Sequence, residues 1–188
     1  KVEGDIVVRM AQVGEKITIL DGREIELRET DLLITDSVGP LAIAGVKGGK
    51  RAEVTAQTKN IIIESANFNP TSVRKTSTRA NLRNDSSKRF ENEITPDLCA
   101  DAMDRVTALV LELSKGSRAG VVTDIYPTPV TPWVVSVPVS YISSMVGMQV
   151  SQAEVKDILE RQGCVVSVSG DVISVTPPLD RLDMTIPE

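Results

Sequence analysis

Histidine is absent from the 188 residues. Its absence excludes serine–histidine and cysteine–histidine catalysis and any histidine-ligated metal within the chain. Proton transfer would fall to a carboxylate, a lysine, a tyrosine or water. Aromatic residues make up only 3% of the chain, so the core is expected to be aliphatic, built from Val, Ile and Leu. The two cysteines, Cys99 and Cys164, are far apart. They are too few for a disulfide framework or a thiolate zinc site, so no metal is expected and a reducing, cytoplasmic setting is. No apolar run approaches the roughly 18 residues of a membrane span, and KVEGDIVVRM lacks the build of a signal peptide, so no membrane partner is expected. Positive charge is in short supply overall. A net charge of −5 argues against a free-standing nucleic-acid binder, although a local basic patch can act inside a larger assembly.

What is present fits one large domain or two small ones. Asp5–Met10 alternates as a strand does. Lys16–Leu20 and Glu24–Leu27 flank Asp21-Gly22, a strong hairpin signal. Leu32–Thr35 and Leu41–Val46 follow, separated by Gly39-Pro40, so the first sixty residues read as mostly β. The segment AGVKGG holds Gly45 and Gly48 without the spacing of a P-loop. Two readings of these glycines stay open: tight turns that need positive φ, and close approach of a ligand to backbone.

The central stretch runs from Lys59 to Asp97. Asn60–Ile63 reads as a buried strand that places Glu64 at its end. Glu64 is either paired with a nearby arginine or a partly buried acceptor for a hydroxyl or amine. The second arrangement discriminates well, because a ligand lacking the hydroxyl leaves the acceptor unpaired. Asn69 and Pro70 are the cap and first residue of a short helix. Asn81–Arg89 is too polar for a core element and reads as an irregular loop. Arg74, Lys75, Arg79, Arg83, Lys88 and Arg89 face one acid, Asp85. They are either a solvated, ion-paired surface or contacts to nucleic-acid phosphates.

Thr95-Pro96-Asp97 opens a long helix with an apolar face at Leu98, Met103, Val106, Leu109, Val110 and Leu113, stopped by Gly116. Val121–Tyr126 reads as a strand. Pro127, Pro129 and Pro132 then mark a stiff linker at 127–133. Beyond it lie a strand at Val134–Val139 and a short helix capped by Ser140. A second helix follows, with a Ser151/Glu154 capping box and Val155, Ile158 and Leu159 inward. A hairpin across Ser169-Gly170-Asp171 completes this unit. The expected class is therefore α+β: a mixed β-sheet domain with packed helices, then a small helix-turn-helix-like domain with a β-hairpin. The second helix of that unit carries three acids, so it reads as structural or protein-facing rather than as a DNA reader. RLDMTIPE supplies no closing element, and both ends suggest an excised fragment.

The order LAIAGVKGG, NIIIESANFNP and TSTRANLRNDSSKRFE, with VSQAEVKDILERQGC and TPPLDRLDM after the prolines, resembles the β subunit of bacterial phenylalanyl-tRNA synthetase over nearly the whole chain. The resemblance implies a B3/B4-like editing domain at 1–126, lacking its N-terminal part, and a B5-like domain at 134–188, truncated at its C-terminus. It implies hydrolysis of tyrosine mis-esterified to tRNA(Phe), in support of phenylalanyl-tRNA aminoacylation. Gly45 and Gly48 would line the amino-acid pocket, Glu64 would accept the tyrosine para-hydroxyl, and Asn84 and Ser86 would close the pocket. A positioned water is the expected nucleophile, so no catalytic side chain is assigned.

Several positions depart from the family pattern. Asn84 stands where Thr or Ser is usual, Ser86 where Ala is usual, Lys47 where an apolar residue is usual, and NEITP replaces RGVDP. The family pocket also draws on a Thr-Asn pair and a His upstream of Lys1, so this stretch alone is expected to hydrolyse poorly. The expected partners are tRNA(Phe) and the synthetase α subunit; ATP and Mg belong to other parts of such an enzyme. The alternative is a non-catalytic scaffold that contacts RNA or another subunit.

Overall fold

The computed structural model describes residues 2–185; the closing Ile186-Pro187-Glu188, read above as lacking a closing element, lies outside them. The chain divides into two compact units, Lys1–Gly116 and Ser117–Glu188.

The first unit is built on antiparallel pairing. Strands β1 (Val7–Met10), β4 (Leu32–Thr35), β5 (Pro40–Ile43) and β6 (Lys47–Gly48) form one sheet in the order β1-β4-β5-β6. Strands β2 (Lys16–Thr18) and β3 (Glu24–Glu26) form the hairpin expected at Asp21-Gly22. A bridge between Ile19 and Gly49 joins that hairpin to the sheet. The core is aliphatic, with Ile19, Leu33 and Ile43 sealed from solvent. Burying each such side chain is worth about 1.5–3 kcal/mol.

Helix α1 (Pro70–Arg79) starts where Asn69 accepts a hydrogen bond from the Ser72 amide, with Pro70 at its first position. Its inward residues Val73, Thr76 and Ser77 are buried. Helix α3 (Leu98–Ser114) ends at Lys115, which is in the left-handed region at φ 53°, one residue before the Gly116 read as its stop.

Two expectations are corrected in this unit. Residues 81–89 are not an irregular loop, because Asp85–Phe90 form helix α2. The Asn84 side chain accepts from the Ser87 amide and the Ser87 hydroxyl returns to the Asn84 amide, a reciprocal cap that offsets the polar composition. Asn60–Ile63 is not a strand. The run joins none of the observed sheets, and Ile61 and Ile62 are exposed. Apolar β-branched residues favour a strand only where a neighbouring strand accepts the ladder.

In the second unit β7 (Val135–Pro138), β8 (Val165–Ser169) and β9 (Val172–Thr176) form a sheet in the order β7-β9-β8. Helices α4 (Val139–Val146) and α5 (Gln152–Arg161) pack on it around Val139, Val155, Cys164, Ile173 and Val175. The Ser151/Glu154 capping box forms as expected. Three readings change here. Pro138, not Ser140, precedes the first helical residue, and the Ser140 hydroxyl instead donates to Asp171 at 3.1 Å. Ile158 is exposed, leaving Val155 and Leu159 to face the core. Val121–Tyr126 is not a strand: Val121 and Ile125 point into solvent and nothing pairs with the run among the described residues. The α+β class stands for both units.

Asp36 holds the turn after β4. Its carboxylate accepts from Arg51 at 2.9 and 2.5 Å and from the amides of Glu3, Val38 and Gly39. The Arg51 guanidinium, aided by those amides, keeps the carboxyl well below the usual carboxylate range. A depressed folded-state value means that the ionised form stabilises above the unfolded value of about 3.9, and that this stabilisation fades as pH falls below it. Asp36→Asn is therefore expected to lower the unfolding midpoint at neutral pH. The gap to the unsubstituted chain should narrow between about pH 4 and about pH 2, as followed by circular dichroism melts across that range.

Candidate functional site

A cavity of about 820 Å³ opens in the first unit between the sheet, the 63–68 segment, α2 and α3. Its floor comes from Ile34, Ala42 and Ile43 of β4 and β5 and from the Gly45–Gly48 turn. One wall is the extended segment from Ile63 to Phe68, which carries Glu64. Asn84, Asp85, Ser86 and Phe90 of the α2 region supply a second wall. The third is the first half of α3: Leu98, Cys99, Ala102, Met103 and Val106, spaced to fall on one helical face.

Of the two glycines, Gly45 shows the tight-turn reading and Gly48 does not. Gly45 has φ +68°, in the left-handed region, and a Cβ there would stand 3.0 Å from both the Phe68 ring and Val73. Gly48 has no such φ and pairs with Ala42 as part of β6, where a Cβ would meet Leu20 at 3.2 Å. Both glycines also line the cavity, so the turn at Gly45 borders that space as well.

Asn84 and Ser86 do more than border the space. The Asn84 side-chain amide donates to the Val46 carbonyl at 2.7 Å, and the Ser86 hydroxyl donates to the Gly45 carbonyl at 2.9 Å. These two bonds fasten the N-terminal end of α2 to the glycine turn. The opposite side is tied as well. The Ser65 hydroxyl donates to the Cys99 carbonyl at 2.8 Å, Asn67 donates to the Ile94 carbonyl, and Phe68 packs against Phe90 with ring centroids 5.1 Å apart.

Glu64 has no arginine partner. Among the described residues its carboxylate makes no ion pair or hydrogen bond, which removes the ion-paired reading of this residue. The residue is exposed, so it is less buried than the sequence suggested. Its carboxyl nevertheless stands close to many protein atoms, and that desolvation alone pushes it above the usual glutamate value. Its contact with water keeps the consequence for stability small.

The six cations separate into two sets. Arg79 pairs with buried Asp31 and donates to the Glu26 carbonyl, and Arg83 pairs with Glu91 at 2.7 Å. Arg74, Lys75, Lys88 and Arg89 are exposed. Among the described residues no three metal-ligating side chains converge, and no helix is long and apolar enough to cross a membrane.

Sequence reasoning missed Phe68, Phe90, Cys99, Ala102 and Met103's pocket-facing role. The signal was the apolar stripe of α3, which was read as a packing face. In the structure its first half lines the cavity, and in its second half Leu109 and Leu113 are exposed.

A model of the B3/4 domain matches residues 1–115, more than half of the chain. The chain belongs to the B3/4 domain family. A tRNA synthetase B5 domain matches residues 135–188. Relatives similar to the chain over nearly its whole length are phenylalanine–tRNA ligase beta subunits. That of Latilactobacillus sakei strain 23K is 42% identical over 182 residues, covering 96% of this chain and 22% of the relative. That of Carboxydothermus hydrogenoformans is 39% identical over 182 residues, covering 97% and 23%. The chain thus spans less than a quarter of their length. A crystal structure of an N-terminal fragment of the phenylalanyl-tRNA synthetase beta-subunit from Pyrococcus horikoshii aligns over 98% of this chain and 53% of that one, with 18% identity and a TM-score of 0.49. The cavity lies wholly inside the B3/4 match.

Gly45→Ala should be poorly tolerated in this B3/4 domain, since it meets positive φ and two packed side chains at once. A destabilisation of about 1–3 kcal/mol is expected, against less than about 1 kcal/mol for Ser86→Ala, which removes one exposed hydroxyl bond. Urea unfolding of the two variants ranks them.

Proposed function

We propose that this chain is part of a phenylalanine–tRNA ligase beta subunit and that its cavity edits, hydrolysing tyrosine wrongly esterified to tRNA(Phe). One observation carries the reading: Glu64 is a carboxylate without a partner in the wall of an otherwise largely apolar cavity. An aromatic amino acid fits such walls through its ring. A para-hydroxyl finds in Glu64 an acceptor that no protein group occupies, whereas phenylalanine offers nothing to it and keeps the carboxylate desolvated for no return. Selectivity of this kind is the expected use of a second site where binding in the first cannot separate two near-isosteric side chains.

The hydrolytic step needs a water held against the ester carbonyl. This stretch holds no histidine, so its own contribution to orienting that water is backbone amides around the Gly45 turn, beside whatever the rest of the ligase supplies, and the RNA's terminal ribose can assist. Ser86 and Asn84 act by position here. Both are engaged with backbone carbonyls, so they fix the width of the mouth rather than move protons. The RNA is the substrate carrier, and the ligase alpha subunit is the assembly partner.

Glu64→Gln and Glu64→Ala, placed in the ligase that contains this chain, should reduce deacylation of tyrosyl-tRNA(Phe) about 10- to 150-fold in kcat/KM, the equivalent of one charge-assisted hydrogen bond at about 1.5–3 kcal/mol. Deacylation of phenylalanyl-tRNA(Phe) should change little. Unchanged tyrosine preference in both variants would sink the editing role and leave the scaffold reading. A pH series adds a second test. Because the carboxyl titrates above the ordinary glutamate value of about 4.3, the preference should fade, as pH is lowered, at a higher pH than an ordinary glutamate would give, and Glu64→Gln should abolish that dependence.

A further inference from the structure

The basic island of the first unit is not a by-product of composition, since the chain as a whole is acidic at −5. Two of its six cations are structural. Arg79 is engaged by Asp31 and Arg83 by Glu91. The remaining four, Arg74, Lys75, Lys88 and Arg89, are exposed, and among the described residues their side chains make no ion pair or hydrogen bond. On α1 the buried positions are Val73, Thr76 and Ser77, which turns Arg74 and Lys75 outward. On α2 the cavity-lining residues are Asp85, Ser86 and Phe90. Arg89 follows Ser86 by three positions and Asp85 by four, so it shares their side of the helix, one turn further from the capped end. Asp85 is the one acid within the island, and no ion pair joins it to Arg89 among the described residues.

Exposed cations without a protein partner, one of them a helical turn from cavity-lining Ser86, have a definite chemistry. They replace counterions along a phosphate backbone, and arginine does so with a bidentate fork. Such contacts fix the register of a nucleic acid without reading its sequence. We propose that Arg74, Lys75, Lys88 and Arg89 form the phosphate-binding surface for the RNA whose 3′ ester enters the cavity, and that Arg89 takes the phosphate nearest the mouth. The assignment rests on the editing reading for the identity of the polyanion. Arg89 is a positioning residue in it: it sets how far the ester reaches and does not touch the reacting atoms.

The test is the salt dependence of binding. Fluorescence anisotropy of an unacylated tRNA(Phe) transcript with the 188-residue chain, between about 50 and 300 mM NaCl, gives the slope of log K against log salt. Arg89→Gln should weaken binding several-fold and lower that slope by about 1, and the Arg74→Gln/Lys75→Gln pair should lower it by about 2. Arg89→Lys should keep the slope, and Arg83→Gln, at a cation already paired, should match the unsubstituted chain. In the intact ligase Arg89→Gln should raise KM for tyrosyl-tRNA(Phe) with the tyrosine-to-phenylalanine ratio unchanged. No salt-dependent binding by the unsubstituted chain, a full slope in Arg89→Gln and the double variant, or an equal loss in Arg83→Gln would each overturn the proposal. A loss confined to the double variant would overturn the place given to Arg89. Failure of the editing reading looks different. Glu64→Gln would then leave the tyrosine preference intact, and it leaves the salt slope alone in either case.

Discussion

A single buried carboxylate holds helix α1 to the strands of the first unit. Asp31 is almost fully shielded, and it accepts from the Arg28 amide at 2.8 Å, from the Thr76 hydroxyl at 2.7 Å and from Arg79. Its own carbonyl accepts from the Ala11 amide at 2.9 Å. One residue therefore gathers the end of β1, the approach to β4 and the outer turn of α1. An ion taken from water without such donors would cost several kcal/mol, so the contact is demanding as well as connective. It specifies where α1 lies. The chain then turns back at Asn81, in the left-handed region at φ 51°, and delivers α2 to the glycine turn.

The cavity inherits its shape from that chain of constraints. Asn84 and Ser86 fasten α2 to the carbonyls of Val46 and Gly45, while Ser65 and Asn67 fasten the opposite wall to the start of α3. Between these fixed rims the lining is chiefly apolar, with a minority of polar side chains. A ligand with an apolar body and one hydroxyl is matched by this division. On the proposed reading its ring gains from leaving water, and Glu64 offers its hydroxyl an acceptor that makes no ion pair or hydrogen bond among the described residues.

Much of this was legible in the residues. Asp21-Gly22 announced a hairpin, Asn69-Pro70 a helix start, and Ser151 with Glu154 a capping box, because each is a local rule satisfied by two or three neighbouring side chains. What failed was non-local. Ile61 and Ile62 carry strand propensity, but propensity does not supply a partner, and the same holds for Val121 and Ile125. The helix at Asp85–Phe90 escaped notice because its cap uses Ser87 where Glu or Gln is the usual cue, and because six residues are too few to show periodicity. The α3 stripe was seen, but whether an apolar face meets a core or a cavity is decided by what stands opposite it. Glu64 was singled out by its place after an apolar run. Its freedom from arginine could only be read once Arg79 and Arg83 were seen to be engaged elsewhere.

The distribution of chromophores has a consequence of its own. The lone tryptophan, Trp133, donates its indole N–H to the Met184 carbonyl within the second unit, and both tyrosines, Tyr126 and Tyr141, lie in that unit too. The first unit contains the two phenylalanines and nothing else aromatic. Intrinsic fluorescence thus reports on one half of the molecule and is blind to the other. In the blind half, a phenol entering the cavity would be the only one present, so its ultraviolet difference spectrum would reveal its surroundings without any label.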